Sequence, residues 1–224
     1  MIPSFPQPLE PFRRLLLPVL LLMSLFGGCS VLQPSTKEPP RFYTLGPVPG
    51  DKQQAATRPV TPNAAAATLL VLAPRAAAGF DSQRIIYVRQ DHQIEYFANN
   101  EWVDTPSRML HGLLVEVLAR SAAFSAVSPA TGAAGGDIRL DTEIVRLQHE
   151  FKTRPSQVRF TLRASLVDDR SRRVLASREF DTVVQAASDD PYGGVSAASQ
   201  AVQTTLQQLA MFSANAVAGW KAPR

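Results

Sequence analysis

Cysteine is nearly absent from this chain. Cys29 is the only one in 224 residues, so no internal disulfide can form and neither dithiol redox motifs nor cysteine-rich zinc sites have ligands. Histidine is almost as scarce. His92, His111 and His149 are the only three, and none has a second metal-type ligand at a supporting spacing such as H-E-x-x-H, so solvated or capping roles are expected for them. The chain also lacks G-x-S-x-G and G-x-x-x-x-G-K, the usual serine-hydrolase and ATP-binding constellations. The acidic pairs Asp168-Asp169 and Asp189-Asp190 precede a turn and a proline, where carboxylates usually cap backbone amides. No catalytic residue, cofactor site or metal site is expected.

Charge of one sign is also in short supply. With 23 basic and 19 acidic residues the net charge is +4, spread without a basic block, which argues against nucleic acid as a partner. Nor is there a long hydrophobic run. The longest, Leu15 to Phe26, covers about 12 residues and is interrupted by Pro18, whereas a helix needs about 20 to cross a bilayer core.

What is present at the N-terminus is a secretory layout. Arg13 and Arg14 precede the apolar run, and Gly27 and Gly28 follow it directly before Cys29. The segment Leu25-Phe26-Gly27-Gly28-Cys29 resembles the lipobox of bacterial lipoproteins, whose cysteine takes a diacylglycerol on sulfur and a further acyl chain on its freed amine. Lipidation explains an otherwise odd thiol in an exported chain. Two or more acyl chains, at about 0.8 kcal/mol per buried CH₂, hold a protein stably on a membrane. Ser30 follows the cysteine, where Asp resembles the inner-membrane retention signal, so the resemblance favours the outer membrane.

The expected organisation is a signal peptide over 1–28, a lipidated cysteine and linker over 29–41, a domain over 42–220 and a tail over 221–224. A flexible insert rich in Pro and Ala interrupts the domain over 46–67. Phe42 to Leu45 reads as a short strand docking back onto the body, and Thr68 to Ala73 as a buried strand. Ile85 to Arg89 and Gln93 to Phe97 flank the polar turn Gln90-Asp91-His92 and suggest a hairpin. Asp104-Thr105-Pro106 starts a helix, with an Asp or Thr oxygen expected to cap it. Its apolar stripe is Met109, Leu113 and Val117 beside Leu110, Leu114 and Leu118.

After the small residues of 132–136, three strands are expected. Ile138, Leu140 and Ile144 alternate with polar residues in one phase, and Val145, Leu147 and Phe151 in the other, which predicts a bulge near Ile144. Val158, Phe160, Leu162, Ala164 and Leu166 alternate cleanly, and Asp168-Asp169-Arg170-Ser171 turns the chain toward Val174 to Val184. Asp189-Asp190-Pro191 opens a last helix through Phe212. The fold class is therefore α+β, a mostly antiparallel sheet with two main helices packed on it.

Taken in order, Arg41 to Leu45, Ile85 to Arg89, Tyr96-Phe97, Glu101 to Pro106, Phe124 to Val127, the hairpin from Arg159 to Phe180 and Trp220 resemble the auxiliary lipoprotein family of ABC-type transporters. The resemblance implies a domain like the N-terminal domain of TolB, held by lipid at the periplasmic face of the outer membrane. Its implied partners are a periplasmic lipid-binding protein with a mammalian-cell-entry (MCE) domain and the permease and ATPase of the same transporter, which moves lipids or other hydrophobic solutes. A homo-oligomer is a candidate arrangement. The resemblance implies no catalytic residue. An envelope-assembly or cell-wall-enzyme activating lipoprotein is the alternative class.

For partner binding the candidates are Tyr96 and Trp102, whose aromatic rings could anchor an interface or, for the tryptophan, cap the core, and Arg159 and Arg163. With Arg170, Arg172 and Arg173 the two arginines could share one surface that attracts headgroups or an acidic partner, although a plain solvated face is the commoner outcome.

Overall fold

The alternation of Val158, Phe160, Leu162, Ala164 and Leu166 with polar neighbours builds a strand with one dry face, and in the computed structural model all five are buried. The structure describes residues 38–46, 66–130 and 135–220. The signal segment 1–28, Cys29, most of the linker, most of the insert, part of the 132–136 loop and the tail 221–224 lie outside the described residues. From Pro40 onward the chain is one compact unit.

Nine strands and two helices are described. They are β1 (Arg41–Tyr43), β2 (Thr68–Val71), β3 (Arg75–Ala76), β4 (Arg84–Val88), β5 (Glu95–Trp102), α1 (Pro106–Arg120), β6 (Ala126–Pro129), β7 (Ile138–Glu150), β8 (Gln157–Asp168), β9 (Val174–Gln185) and α2 (Pro191–Val217). β7, β8 and β9 form an antiparallel meander with the longest ladders of the sheet. Along the other edge of β7, three short strands take turns in parallel register. β2 lies opposite Ile138 to Leu140, β3 opposite Glu143 and Ile144, and β4 opposite His149 and Glu150.

Residues 68–88 thus act as one strand interrupted twice. Pro74 sits in the first interruption, where it needs no ladder donor, and Gly79 in the second, at φ +91°. β6 extends the sheet beyond β2, while β5 pairs antiparallel with β4 and carries β1 in parallel at its far edge. The hairpin of β4 and β5 turns through His92 at φ 66°. The predicted bulge is present as a register shift between Ile144 and Arg146, and the buried phase switches there from Ile138, Leu140 and Ile144 to Leu147 and His149.

Both helices cover the same face. Leu110, Leu114 and Leu118 of α1 and Ala201, Val202, Leu206 and Leu209 of α2 share one core with Ile138, Leu140, Ile144, Phe160, Leu162 and Phe180. Each large side chain so buried contributes about 1.5–3 kcal/mol. The stripe of Met109, Leu113 and Val117 is only partly buried, so the neighbouring leucine row is the true core face.

The two helix starts differ. Asp190 Oδ1 accepts the Gly193 amide at 2.8 Å, the expected cap of α2. At α1 neither carboxylate nor hydroxyl caps the helix. Thr105 makes no side-chain cap, and Asp104 Oδ1 accepts the amide of Thr105 itself at 2.7 Å, leaving Pro106 to start the turn. At the other end of α2, Trp220 Nε1 donates to Asp168 Oδ2 at 3.2 Å and ties the helix exit to the turn between β8 and β9.

Candidate interaction surface

Because both helices lie on one face of the sheet, the opposite face carries the polar members of each alternating strand, and across β7, β8 and β9 these are charged. Arg163 in β8 bridges Glu143 of β7 at 3.1 Å and Glu179 of β9 at 2.9 Å. Four residues earlier in β8, Arg159 bridges Glu150 at 3.3 Å and Asp181 at 2.7 Å. Arg139 pairs with Asp141 and with Asp169, both at 3.1 Å, and Asp169 also takes Arg172. The arrangement repeats acid, arginine, acid across three strands. Arg159 and Arg163 do share one surface, but each is neutralised inside the sheet. Around Arg159 and Arg163 the hairpin is therefore a face of closed ion pairs rather than a field of uncompensated positive charge.

Tyr96 and Trp102 share β5 but part company. Trp102 is 3% exposed and belongs to the core, opposite Tyr43 of β1. Tyr96 is 40% exposed on the side away from the helices, with the Arg84 guanidinium 4.9 Å from its ring centre. Arg84 lies directly across from Glu101, and Glu101 directly across from Phe42. Cross-strand partners point to the same side of a sheet, so Phe42, Glu101, Arg84 and Tyr96 make one row. Val103, two residues beyond Glu101, continues it.

Buried polar chemistry sits on the helix face, among residues distant from one another in the chain. His149 is 2% exposed, which corrects the expectation that the histidines are solvated or capping. Its Nε2 lies 2.7 Å from the hydroxyl of Ser156, itself fully buried. The amide of Ser156 donates to Asp189 Oδ1 at 3.1 Å, and bonding to Ser156 pulls the pKa of that carboxylate down. The His149 Nδ1 has no hydrogen-bond partner among the described residues.

Serine beside histidine invites comparison with a nucleophile and its base, but the geometry does not serve acyl transfer. The carboxylate holds the serine instead of the imidazole Nδ1, and the adjoining cavity has room for about 10 Å³, no more than one water. Burial holds the His149 pKa below its ordinary value, and the nearby carboxylates of Asp189 and Asp190 oppose that shift only in part. The imidazole packs 4.2 Å from Phe151, between ring centres, and against Gly194 of α2. His111 Nε2 is 3.1 Å from the carbonyl oxygen of Val71 and braces α1 on β2, while His92 is exposed. The acidic pairs act as caps: Asp168 Oδ1 accepts the Ser171 amide at 2.7 Å, and the Ser171 bonds pull its pKa down. Among the described residues no group of three His, Cys, Asp or Glu side chains could hold a metal, and no helix is long and apolar enough to cross a membrane.

A single sheet with two helices packed on one face defines an α+β domain. The chain belongs to the family of ABC-type transport auxiliary lipoprotein components, whose model matches residues 43–210. A solved structure from Xanthomonas campestris, of the DUF330 family, superposes with TM-score 0.63 at 21% identity, covering 80% of this chain and 94% of that one. A second solved structure, of an uncharacterized protein, gives TM-score 0.60 at 16% identity and covers 79% of this chain and 99% of the other. At such identities the likeness is one of fold. No curated protein matches the chain in sequence.

Proposed function

We propose that this auxiliary lipoprotein is a non-catalytic docking component of an MCE-type transporter, anchored through Cys29 to the periplasmic face of the outer membrane. The observation that carries the reading is the conjunction of a lipobox-like Leu25 to Cys29 with a family match that begins fourteen residues later, at Tyr43. Fatty acyl chains, palmitate among them, at that cysteine hold the domain on the membrane, and the linker over 29–41 gives it a reach of roughly 35 Å if extended. Its partners in this reading are the MCE-domain protein and, through it, the permease and ATPase; ATP hydrolysis belongs to them. Substrates are lipids or other hydrophobic solutes crossing the periplasm.

The test is fractionation with acyl labelling of the native chain and Cys29→Ala, followed by crosslinking in intact envelopes. The native protein should enter the outer-membrane fraction carrying fatty acid and crosslink to an MCE-domain protein. The variant should lose the label and the membrane. Recovery of other partners with no transporter component would end the docking assignment, while equal membrane attachment of both forms would end the anchor.

A further inference from the structure

We propose that the corner of the open face at β1 and β5 is the surface on which the domain rests against the membrane holding its lipid. The proposal rests on the anchoring at Cys29 put forward above, and adds where the domain touches the bilayer. Three of the eight large hydrophobic side chains exposed among the described residues belong to this corner, Phe42 at 58%, Val103 at 50% and Tyr96 at 40%, and a fourth, Ile94 at 43%, directly precedes β5. The other four are divided between β9 and α2, Val174 and Val183 on one and Tyr192 and Met211 on the other.

Location selects the occupant. Arg41 opens β1 twelve residues past Cys29, so the lipid is joined to the domain at this edge, the first described strand of the chain. β1 is also the outermost strand on its side of the sheet, with nothing beyond it in the strand order. The side chains suit a headgroup boundary. Phe42 and Val103 offer apolar surface, Tyr96 an apolar ring with a polar tip, and Arg84 a cation lying over the Tyr96 ring at 4.9 Å. Farther along the same face Arg159 and Arg163 are already closed into ion pairs with Glu143, Glu150, Glu179 and Asp181, so they have little to offer lipid. A membrane therefore meets the β1 corner and leaves the charged ladders facing water or a protein partner.

The lipidated full-length protein supplies its own control, because acylation consumes the thiol of its one cysteine. Val103→Cys can then be labelled alone with an environment-sensitive dye, and Met211→Cys serves as the distant site. In vesicles of phosphatidylethanolamine and phosphatidylglycerol, the dye at position 103 should shift to the blue and be quenched by lipids bearing a nitroxide near the headgroup. The dye at 211 should report water. Adding Phe42→Ser or Tyr96→Ser should weaken the contact equilibrium about tenfold each, the equivalent of one lost aromatic burial. A dye at 103 that reports water while the protein sediments with the vesicles overturns the proposal. So does one that is shielded but unquenched, which would mean that a second copy covers the corner. Protein that carries no lipid and does not sediment instead sinks the anchor, and this contact with it.

Discussion

Gly194 is the position where the fit between α2 and the sheet can be tested most sharply. A Cβ added there would lie 2.5 Å from His149 Nδ1 and 3.1 Å from its Cε1. The ring cannot swing away freely, being bonded to Ser156 on one side and packed on Phe151 at the other. Gly194→Ala gains about 1 kcal/mol of helix propensity in the interior of α2. Overpacking of a held ring costs about 3 kcal/mol, the upper end for added methyl groups. The net loss is about 2 kcal/mol, which for a domain of this size lowers Tm by about 4–8 °C. In a His149→Ala background the obstacle is gone, and the same Gly194→Ala change should now stabilise by up to about 1 kcal/mol. Urea unfolding followed by the fluorescence of buried Trp102 measures all four corners of the cycle. If Gly194→Ala destabilises both backgrounds equally, the steric account is wrong and the glycine serves some other need.

Other outcomes follow from the same contacts. Because burial holds the His149 pKa below its unfolded value of 6.5, the unfolded chain binds the proton first on acidification. The stability tied to neutral His149 is complete above about pH 6.5 and is lost as pH falls toward the depressed folded value. His149→Leu should therefore flatten the decline of Tm between about pH 7 and pH 5; an unchanged slope would contradict the assignment. Removing the α2 cap with Asp190→Ala should cost about 1 kcal/mol in chemical denaturation, and Asp190→Asn a fraction of that. Arg163 is half exposed, so Arg163→Ala should change stability by less than about 1 kcal/mol despite its two carboxylate partners. A larger loss would show that the ladder is organised more tightly than a solvated face.

Much of this protein was written in local pattern. The strand from Val158 to Leu166, the phase switch at Ile144, the hairpin through His92 and the leucine row of α1 all follow from side-chain period, because burial on one face acts on every second residue of a strand and every third or fourth of a helix. Parallel pairing left no such trace. Whether residues 68–88 join β7 in parallel or stand elsewhere changes no alternation, and only the assembled sheet decided it. The same holds for polar side chains whose partners are remote in sequence. His149 reads as an ordinary polar member of a strand until α2, more than forty residues away, lays Gly194 against it. Arg159 and Arg163 read as loose charge until β7 and β9 supply their acids. Trp102 and Tyr96, six residues apart in one strand, went to opposite sides of the sheet. Periodicity, turns and the lipobox-like run before Cys29 are legible in local sequence, since those depend on neighbours in the chain. Which polar groups remain free to meet a membrane or a partner was decided by tertiary packing, since that depends on what the rest of the fold brings alongside.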